Sequence, residues 1–308
     1  MKDLVVKDNA LINASYNLNL VEQRLILLAI VEARESGKGI NANDPLEVHA
    51  DSYINQFNVH RNTAYQALKD ACKDLFARQF SYQEKKPNGN IRNVMSRWVS
   101  QIAYNDNEAT VDLIFAPAVV PFITRLEEQF TKYELQQVSC LSSAYAIRLY
   151  ELLIQWRSTG KTPIIELEDF RNKLGVLENE YLRMAHLKER VLELSIKQIN
   201  LHTDITVKYE QHKKGRSITG FSFMFKQKKS VSEKSVPTKK PSEIFLRVTD
   251  AQRHLFANKL AELPEMGSYS QGTESYAQFA VRIAEMLKDP QKFEELFPYL
   301  KKVGFQTN

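Results

Sequence analysis

Asp169-Phe170-Arg171-Asn172-Lys173-Leu174-Gly175 opens the segment that decides the fold, which runs on to Lys229. The residues before Gly175 predict about two turns of helix, and Gly175 stops them, glycine being best suited to the left-handed position after a helix. A polar connection from Leu177 to Glu180 leads into a long helix from about Leu182 to Asn200. Ile205, Val207 and Tyr209 then alternate with Thr206 and Lys208, and Phe221, Phe223 and Phe225 alternate with Ser222 and Met224. That period of two predicts strands with one face packed inward. Between them, His212-Lys213-Lys214-Gly215-Arg216 is a turn with a basic tip. Helix, turn, helix and basic hairpin make a winged helix, whose second helix enters the major groove.

Charge points to the same segment. Residues 181–229 hold 11 Lys and Arg against 4 Asp and Glu, a net of +7. The whole chain holds 42 against 37 and nets +5, so everything outside the segment sums to −2. A polyanionic partner is the simplest reason to concentrate charge in this way.

At 308 residues, 43% of them apolar, the chain is long enough for two domains and a further small module. No apolar run approaches the roughly 18 residues a membrane span needs. Met1-Lys2-Asp3-Leu4 lacks the pattern of a signal peptide. Cys72 and Cys140 lie far apart, without metal-ligand spacing and among apolar neighbours, which predicts buried free thiols. A cytoplasmic protein with no membrane contact is the expectation.

Upstream, Asn19 with Glu22 three positions on predicts a capped helix that Gly37 ends. Leu11, Leu18 and Leu25 stand seven apart, but Asn17 and Asn19 interrupt them, and the pattern predicts core packing rather than a zipper. Ala50–Phe57, Asn58-Val59-His60 and the helix from Arg61 read as another helix-turn-helix, with Asn58 tolerating the left-handed turn and His60 a weak cap. With Ala64, Leu68, Cys72 and Leu75 turned inward, Asn62, Thr63, Gln66 and Lys73 face out and Arg61 stands at the N-terminus. A strand from Phe80 to Glu84, a turn with Lys85, Lys86 and Asn88-Gly89, a run through Trp98 to Tyr104, and Val111–Phe115 follow as a small sheet with a basic wing. The two halves thus look like a diverged duplication. Ser142–Leu153 predicts a well-capped helix reaching Arg157, with Tyr145, Tyr150 and Trp156 in packing roles. Beyond Lys229 the periodicity stops, and two helical patterns, Asp250–Leu263 and Glu274–Leu287, follow.

The expected architecture is α+β: two tandem winged-helix domains, 1–125 and 126–229, a linker at 230–243, and a small helical C-terminal appendage at 244–308. Chemistry is sparse. Gly160-Lys161-Thr162 resembles the end of a phosphate-binding loop, but Gln155 stands where the loop needs glycine, and the triplet follows a helix rather than a strand. No His-x-His pair occurs among the six histidines, and rolling-circle nicking enzymes use such a pair to hold metal beside a tyrosine nucleophile. No catalytic residue, metal site or cofactor is expected.

Four ordered stretches carry a family resemblance: Glu22–Leu27, Ala64–Leu68, Tyr145–Leu153, and Leu187–Asp204 with the Lys213-Lys214-Gly215-Arg216 wing. Over residues 1–229 the chain resembles the replication initiator (Rep) proteins of iteron-bearing, theta-replicating bacterial plasmids. The resemblance implies two winged-helix domains on tandem origin repeats, the second doing most of the base reading, and no enzymatic activity. It also implies monomers on iterons, dimers on an operator of the initiator's own gene, and contacts with host initiator and helicase-loading proteins. Arg183, His186 and Arg190 are the expected base readers, since arginine suits guanine O6 and N7 and the start of the helix reaches deepest. Lys188, Lys197, Lys213, Lys214 and Arg216 complete that surface, the wing cations and Lys188 as phosphate contacts. Arg61, Asn62, Thr63, Gln66, Lys73, Lys85 and Lys86 form its counterpart in the first domain. A winged-helix transcriptional repressor is the nearest alternative function, and a nicking enzyme a more distant one.

Overall fold

Asn19 caps the first long helix through a reciprocal box: its side chain accepts from the Glu22 N–H, and the Glu22 carboxylate accepts from the Asn19 N–H. Two orphan donors are satisfied in this way. Helix α2 (Leu20–Ser36) therefore starts where the sequence places it and ends at Gly37, in the left-handed region at φ 71°. It follows β1 (Leu4–Asp8), α1 (Asn9–Asn13) and β2 (Ser15–Tyr16). Leu11, Leu18 and Leu25 are all buried but sit in different segments, so the seven-residue spacing is not a helical seam.

The computed structural model describes residues 3–303 apart from 42, 87, 125–128, 229–249 and 270–273. Two compact units, 1–228 and 229–308, make up the chain. The expected linker at 230–243 falls outside the described residues.

In the first unit β3 (Leu46–His49) leads into α3 (Ala50–Phe57) and α4 (Arg61–Ala77). Asn58 joins the two helices in the left-handed conformation at φ 47°, and His60 precedes α4 without a side-chain cap bond. Next come β4 (Gln79–Lys85), β5 (Ile91–Arg97), β6 (Val99–Asn105) and β7 (Thr110–Phe115). The expected continuous strand through Trp98 is broken there: β4 and β5 pair with β2 in one sheet, whereas β6 and β7 pair with β3 in another. Trp98 is fully buried at the switch, its ring 4.9 Å from that of Tyr16 and 5.0 Å from that of Phe80.

α5 (Val120–Thr124), β8 (Phe130–Glu134) and α6 (Gln136–Ser139) return the chain to β1, which pairs antiparallel with β8. Helix α7 (Ala144–Ile154) is buried along almost its whole length. Its start differs from the expected serine cap. Ser143 makes no side-chain cap bond, and the N–H groups of Ser142 and Ser143 donate instead to the Gln198 amide oxygen. The helix also stops short of Arg157, and Trp156, expected in a packing role, is 39% exposed. Gly160-Lys161-Thr162 lies along the last sheet: the Thr162 N–H donates to Phe223 and the Phe225 N–H to Gly160.

β9 (Ile165–Glu166), α8 (Leu167–Leu174), a helical run α9 (184–202), β10 (Ile205–Lys214) and β11 (Ser217–Gln227) form the second winged helix, in strand order β10-β11-β9. The first domain repeats that path as β3-α3-α4-β6-β7 with strand order β6-β7-β3. The duplication is therefore visible in topology, and β4–β5 is an insertion into the first copy. Its Lys85 and Lys86 are not at the counterpart of the second wing. That counterpart is the β6–β7 turn, Asp106-Asn107-Glu108, which is acidic.

The second unit contains α10 (Asp250–Ala261), a 3-10 turn (Pro264–Tyr269), α11 (Tyr276–Met286) and α12 (Pro290–Lys302) around its own apolar cluster. α12 has no counterpart in the two expected helical patterns. One thiol also departs from expectation: Cys72 is buried, whereas Cys140 is exposed. Among the described residues no helix is long and apolar enough to cross a membrane.

Candidate nucleic-acid interface

The second helix-turn-helix is built around a glycine. Gly175 closes α8 at φ 77°, and its N–H donates to the Arg171 and Asn172 carbonyls. A Cβ there would lie 2.2 Å from the Tyr16 carbonyl oxygen, so only glycine lets the turn rest on β2. Asn17 completes the contact by donating from Nδ2 to the Gly175 oxygen at 2.6 Å.

The turn that follows is held by Arg171, a residue the sequence does not mark. Its guanidinium donates to the carbonyls of Leu177 (3.1 Å), Glu180 (2.7 Å) and Tyr181 (3.2 Å). The Glu180 carboxylate accepts from the Leu177 N–H at 3.0 Å and from the Tyr145 hydroxyl at 3.2 Å. Burial, with that carboxylate beside it, pushes the Tyr145 hydroxyl far above its usual range and keeps it a donor. Tyr181 sits at φ 45°, a conformation that costs a non-glycine residue about 1–3 kcal/mol and persists where surrounding contacts over-determine it.

Helix α9 is not uniformly α. Met184–His186 and Leu194–His202 are α-helical, and Leu187–Glu193 between them is π-helical. Its buried side chains Leu187, Val191, Ser195 and Ile199 recur every fourth residue, with Leu192 buried beside Val191. Each such step overshoots an α-helical turn by about 40°, and three steps would carry Ile199 about 120° off the core. The wider π winding takes up that drift and keeps the four in line. Arg183, Glu189, Arg190, Glu193 and Lys197 are exposed on the other side, and His186 is half-buried.

The helix is fastened to the wing at both ends. Near its end, Asn200 accepts from the Val207 N–H (2.6 Å) and donates to the Val207 carbonyl (3.0 Å). Nearer its start, the Tyr209 hydroxyl donates to Glu193 at 3.1 Å, and Lys188 donates to the Gln211 amide oxygen at 3.4 Å. The wing tip, with Lys213, Lys214 and Arg216 exposed, therefore lies just beyond the first half of α9. Among the described residues Arg183, Arg190, Lys197, Lys213, Lys214 and Arg216 make no ion pair. Lys188 differs: it is half-buried, 3.9 Å from Glu193 and 6.0 Å from the Tyr209 ring centroid.

The equivalent surface on α4 is satisfied internally. Arg61 is paired with Asp51 at 2.6 Å, Gln66 donates to Asp70 at 2.9 Å, and the Thr63 hydroxyl donates to the His60 carbonyl at 2.9 Å. Lys69 of the same helix pairs with Asp106 of the acidic turn at 2.8 Å. Asn62, Lys73, Lys85 and Lys86 are exposed. Among the described residues no group of His, Cys, Asp and Glu is placed to hold a metal ion.

Both halves match known sequence patterns. The pattern described as "Initiator Replication protein, WH1" matches residues 4–154, and "Initiator Rep protein, WH2" matches residues 166–225. An Escherichia coli "Replication initiation protein" is 26% identical over 222 residues, 70% of this chain and 67% of that protein. Among solved structures, the WH1 domain of MSBI1.176, a replication protein isolated from a multiple sclerosis patient, is 81% identical. It covers 42% of this chain and 97% of its own, with a TM-score of 0.34. The Pi initiator protein, crystallised with iteron DNA, shares the fold at a TM-score of 0.61 and 23% identity, over 74% of this chain and 99% of that one.

Proposed function

Because this chain belongs to the Rep3 initiator replication protein family, we propose that it initiates plasmid replication by binding direct repeats, the iterons, at its origin. The observation that carries this reading is the contrast between the two recognition helices. Among the described residues Arg183, Arg190 and Lys197 of α9 and Lys213, Lys214 and Arg216 of its wing make no ion pair, whereas Arg61 and Lys69 on α4 are each paired with an aspartate. Arg183, His186 and Arg190 read bases, and Lys188, Lys197, Lys213, Lys214 and Arg216 hold the backbone. In the first domain Arg61, Asn62, Thr63, Gln66, Lys73, Lys85 and Lys86 add weaker contacts, mostly to phosphate. Dimers of the same protein repress its own gene. Strand β5 supports a pairing role for the first domain, since among the described residues it has one unpaired edge and exposes Ile91 and Met95. Recruitment of host initiator and helicase-loading proteins completes the reading and rests on the family resemblance.

A footprint of the full-length protein on the DNA flanking its gene tests this. Tandem protected repeats are expected, and Arg183→Ala or Arg190→Ala should each weaken specific binding by up to about a hundredfold and relax preference at one base pair. Gln66→Ala should cost less. Protection confined to one inverted pair of half-sites would favour a plain repressor instead.

A further inference from the structure

Leu182 is 77% exposed, more than any other large apolar side chain among the described residues. Singly exposed leucines are common and of themselves mean little. This one is distinguished by the backbone that presents it. Tyr181, immediately before it, is held at φ 45° while Arg171 takes the Tyr181, Glu180 and Leu177 carbonyls. The Tyr145 and Tyr181 rings meet edge-to-face at 6.1 Å, which fixes the Tyr181 side chain on the inner side of the turn. Arg183, the next residue, is extended and exposed, and its carbonyl accepts the first helical bonds of α9 from His186 and Leu187. A strained, heavily bonded turn thus holds an apolar side chain in water at the leading end of the recognition helix.

Residues at that end reach base edges in the major groove. The bases display one apolar group there, the 5-methyl of thymine. We infer that Leu182 packs on a thymine methyl within the repeat, beside the base that Arg183 reads, and so contributes a T-specific position to the site. This rests on the DNA reading proposed above and adds to it an apolar contact that no cation on the surface supplies. Arg171 is a positioning residue for it, since it sets the turn without reaching the DNA.

Replacing thymine by uracil removes the methyl and leaves pairing intact, which isolates the contact. The probe is a duplex carrying one repeat from the protein's own footprint, titrated with full-length protein at one fixed salt concentration, each thymine replaced in turn. For the wild type, uracil at one thymine, or at two adjacent ones, should weaken binding about three- to tenfold, the range expected for removing one methyl-sized apolar contact. Leu182→Ala should bind the thymine duplex that much more weakly and be indifferent to uracil at the same position, and Leu182→Met should keep the discrimination. A flat uracil scan with the wild type, or a uracil effect that survives in Leu182→Ala, would overturn the inference while leaving repeat binding in place. Failure of the wild type to prefer the repeat over a scrambled duplex would instead remove the DNA reading itself, and this inference with it. Leu182 is exposed, so an unchanged thermal melt of each variant verifies that folding is not the variable.

Discussion

Arg148 is completely buried and fully bonded. Its guanidinium donates to the carbonyls of Ile12 and Ala14 at 2.9 Å, to the Lys173 carbonyl at 2.6 Å, and to the Tyr16 hydroxyl, with the Tyr16 ring 3.8 Å away. Glu151, also buried, lies 3.4 Å from it and takes hydrogen bonds from Lys7 at 2.7 Å and Tyr133 at 2.6 Å. Burial alone would raise the Glu151 pKa, but Lys7 and Arg148, with the Lys7 and Tyr133 hydrogen bonds, together hold it below its ordinary 4.5. A carboxylate lowered on folding adds stability above its unfolded value and loses it as pH falls through the folded one. Glu151→Gln should therefore destabilise by about 3–5 kcal/mol at neutral pH, since it strands Lys7 as a buried unpaired charge. It should also shallow the acid limb of urea midpoints measured down to about pH 3. An unchanged acid limb would show that other carboxylates govern it. None of this cluster is legible in the sequence as charge burial. Arg148 and Glu151 stand three apart within Tyr145–Leu153, a spacing that on most helices is an exposed pair.

Among elements, the second helix-turn-helix is the most legible, because its signals are local. Gly175 ends α8, and the alternation of Ile205, Val207, Phe221, Phe223 and Phe225 defines the wing. The tight approach of Gly175 to Tyr16 depends on the other half of the chain and has no sequence signal. Gly175→Ala must move backbone away from a carbonyl and hold alanine at φ 77°. It should cost about 3 kcal/mol or more, read as a lowered denaturant midpoint. A loss under about 1 kcal/mol would mean that the turn slides on β2 without penalty. The π-helical stretch is invisible for a different reason. A wheel drawn at a fixed 100° per residue assumes the winding that Leu187, Val191, Ser195 and Ile199 depart from. The inserted hairpin misleads for a third. Lys85-Lys86 with Asn88-Gly89 is a sound hairpin signal, but local pattern does not say which sheet a hairpin joins.

At the scale of the whole molecule, composition alone marks the half in which positive charge is concentrated, through its +7 segment. Charge clustering does not depend on how the chain folds, so counting residues is enough to find it. The acidic Asp106-Asn107-Glu108 turn gives the first domain the opposite character, so backbone affinity should reside in the second wing. Lys213→Ala with Lys214→Ala should flatten the dependence of log affinity on log salt by about two units and leave repeat preference intact. A changed preference with an unchanged slope would contradict their assignment to phosphates.

The four stretches that carry the family resemblance are, in the structure, mostly joints. Glu22 caps α2 and pairs with Arg78, Arg24 donates to Ser139 and Leu141, Tyr150 donates to Asp204, and Asn200 grips Val207. Where bonds cross from one half to the other, they hold both main-chain and side-chain atoms: Arg148 takes the Lys173 carbonyl and Asn17 that of Gly175, whereas Tyr145 donates to Glu180, Tyr150 to Asp204, and the Ser142 and Ser143 N–H groups to Gln198. Such a grip asks of the half it holds a small set of residues: a glycine at 175, a glutamate at 180, a glutamine at 198 and an aspartate at 204. A genetic crossover falling between 155 and 164 would therefore exchange one reading surface for another and leave the joint intact wherever the incoming half keeps those four residues. Lineages carrying this architecture have a route to new target sequences in a single recombination, without waiting for point changes to accumulate along the helix.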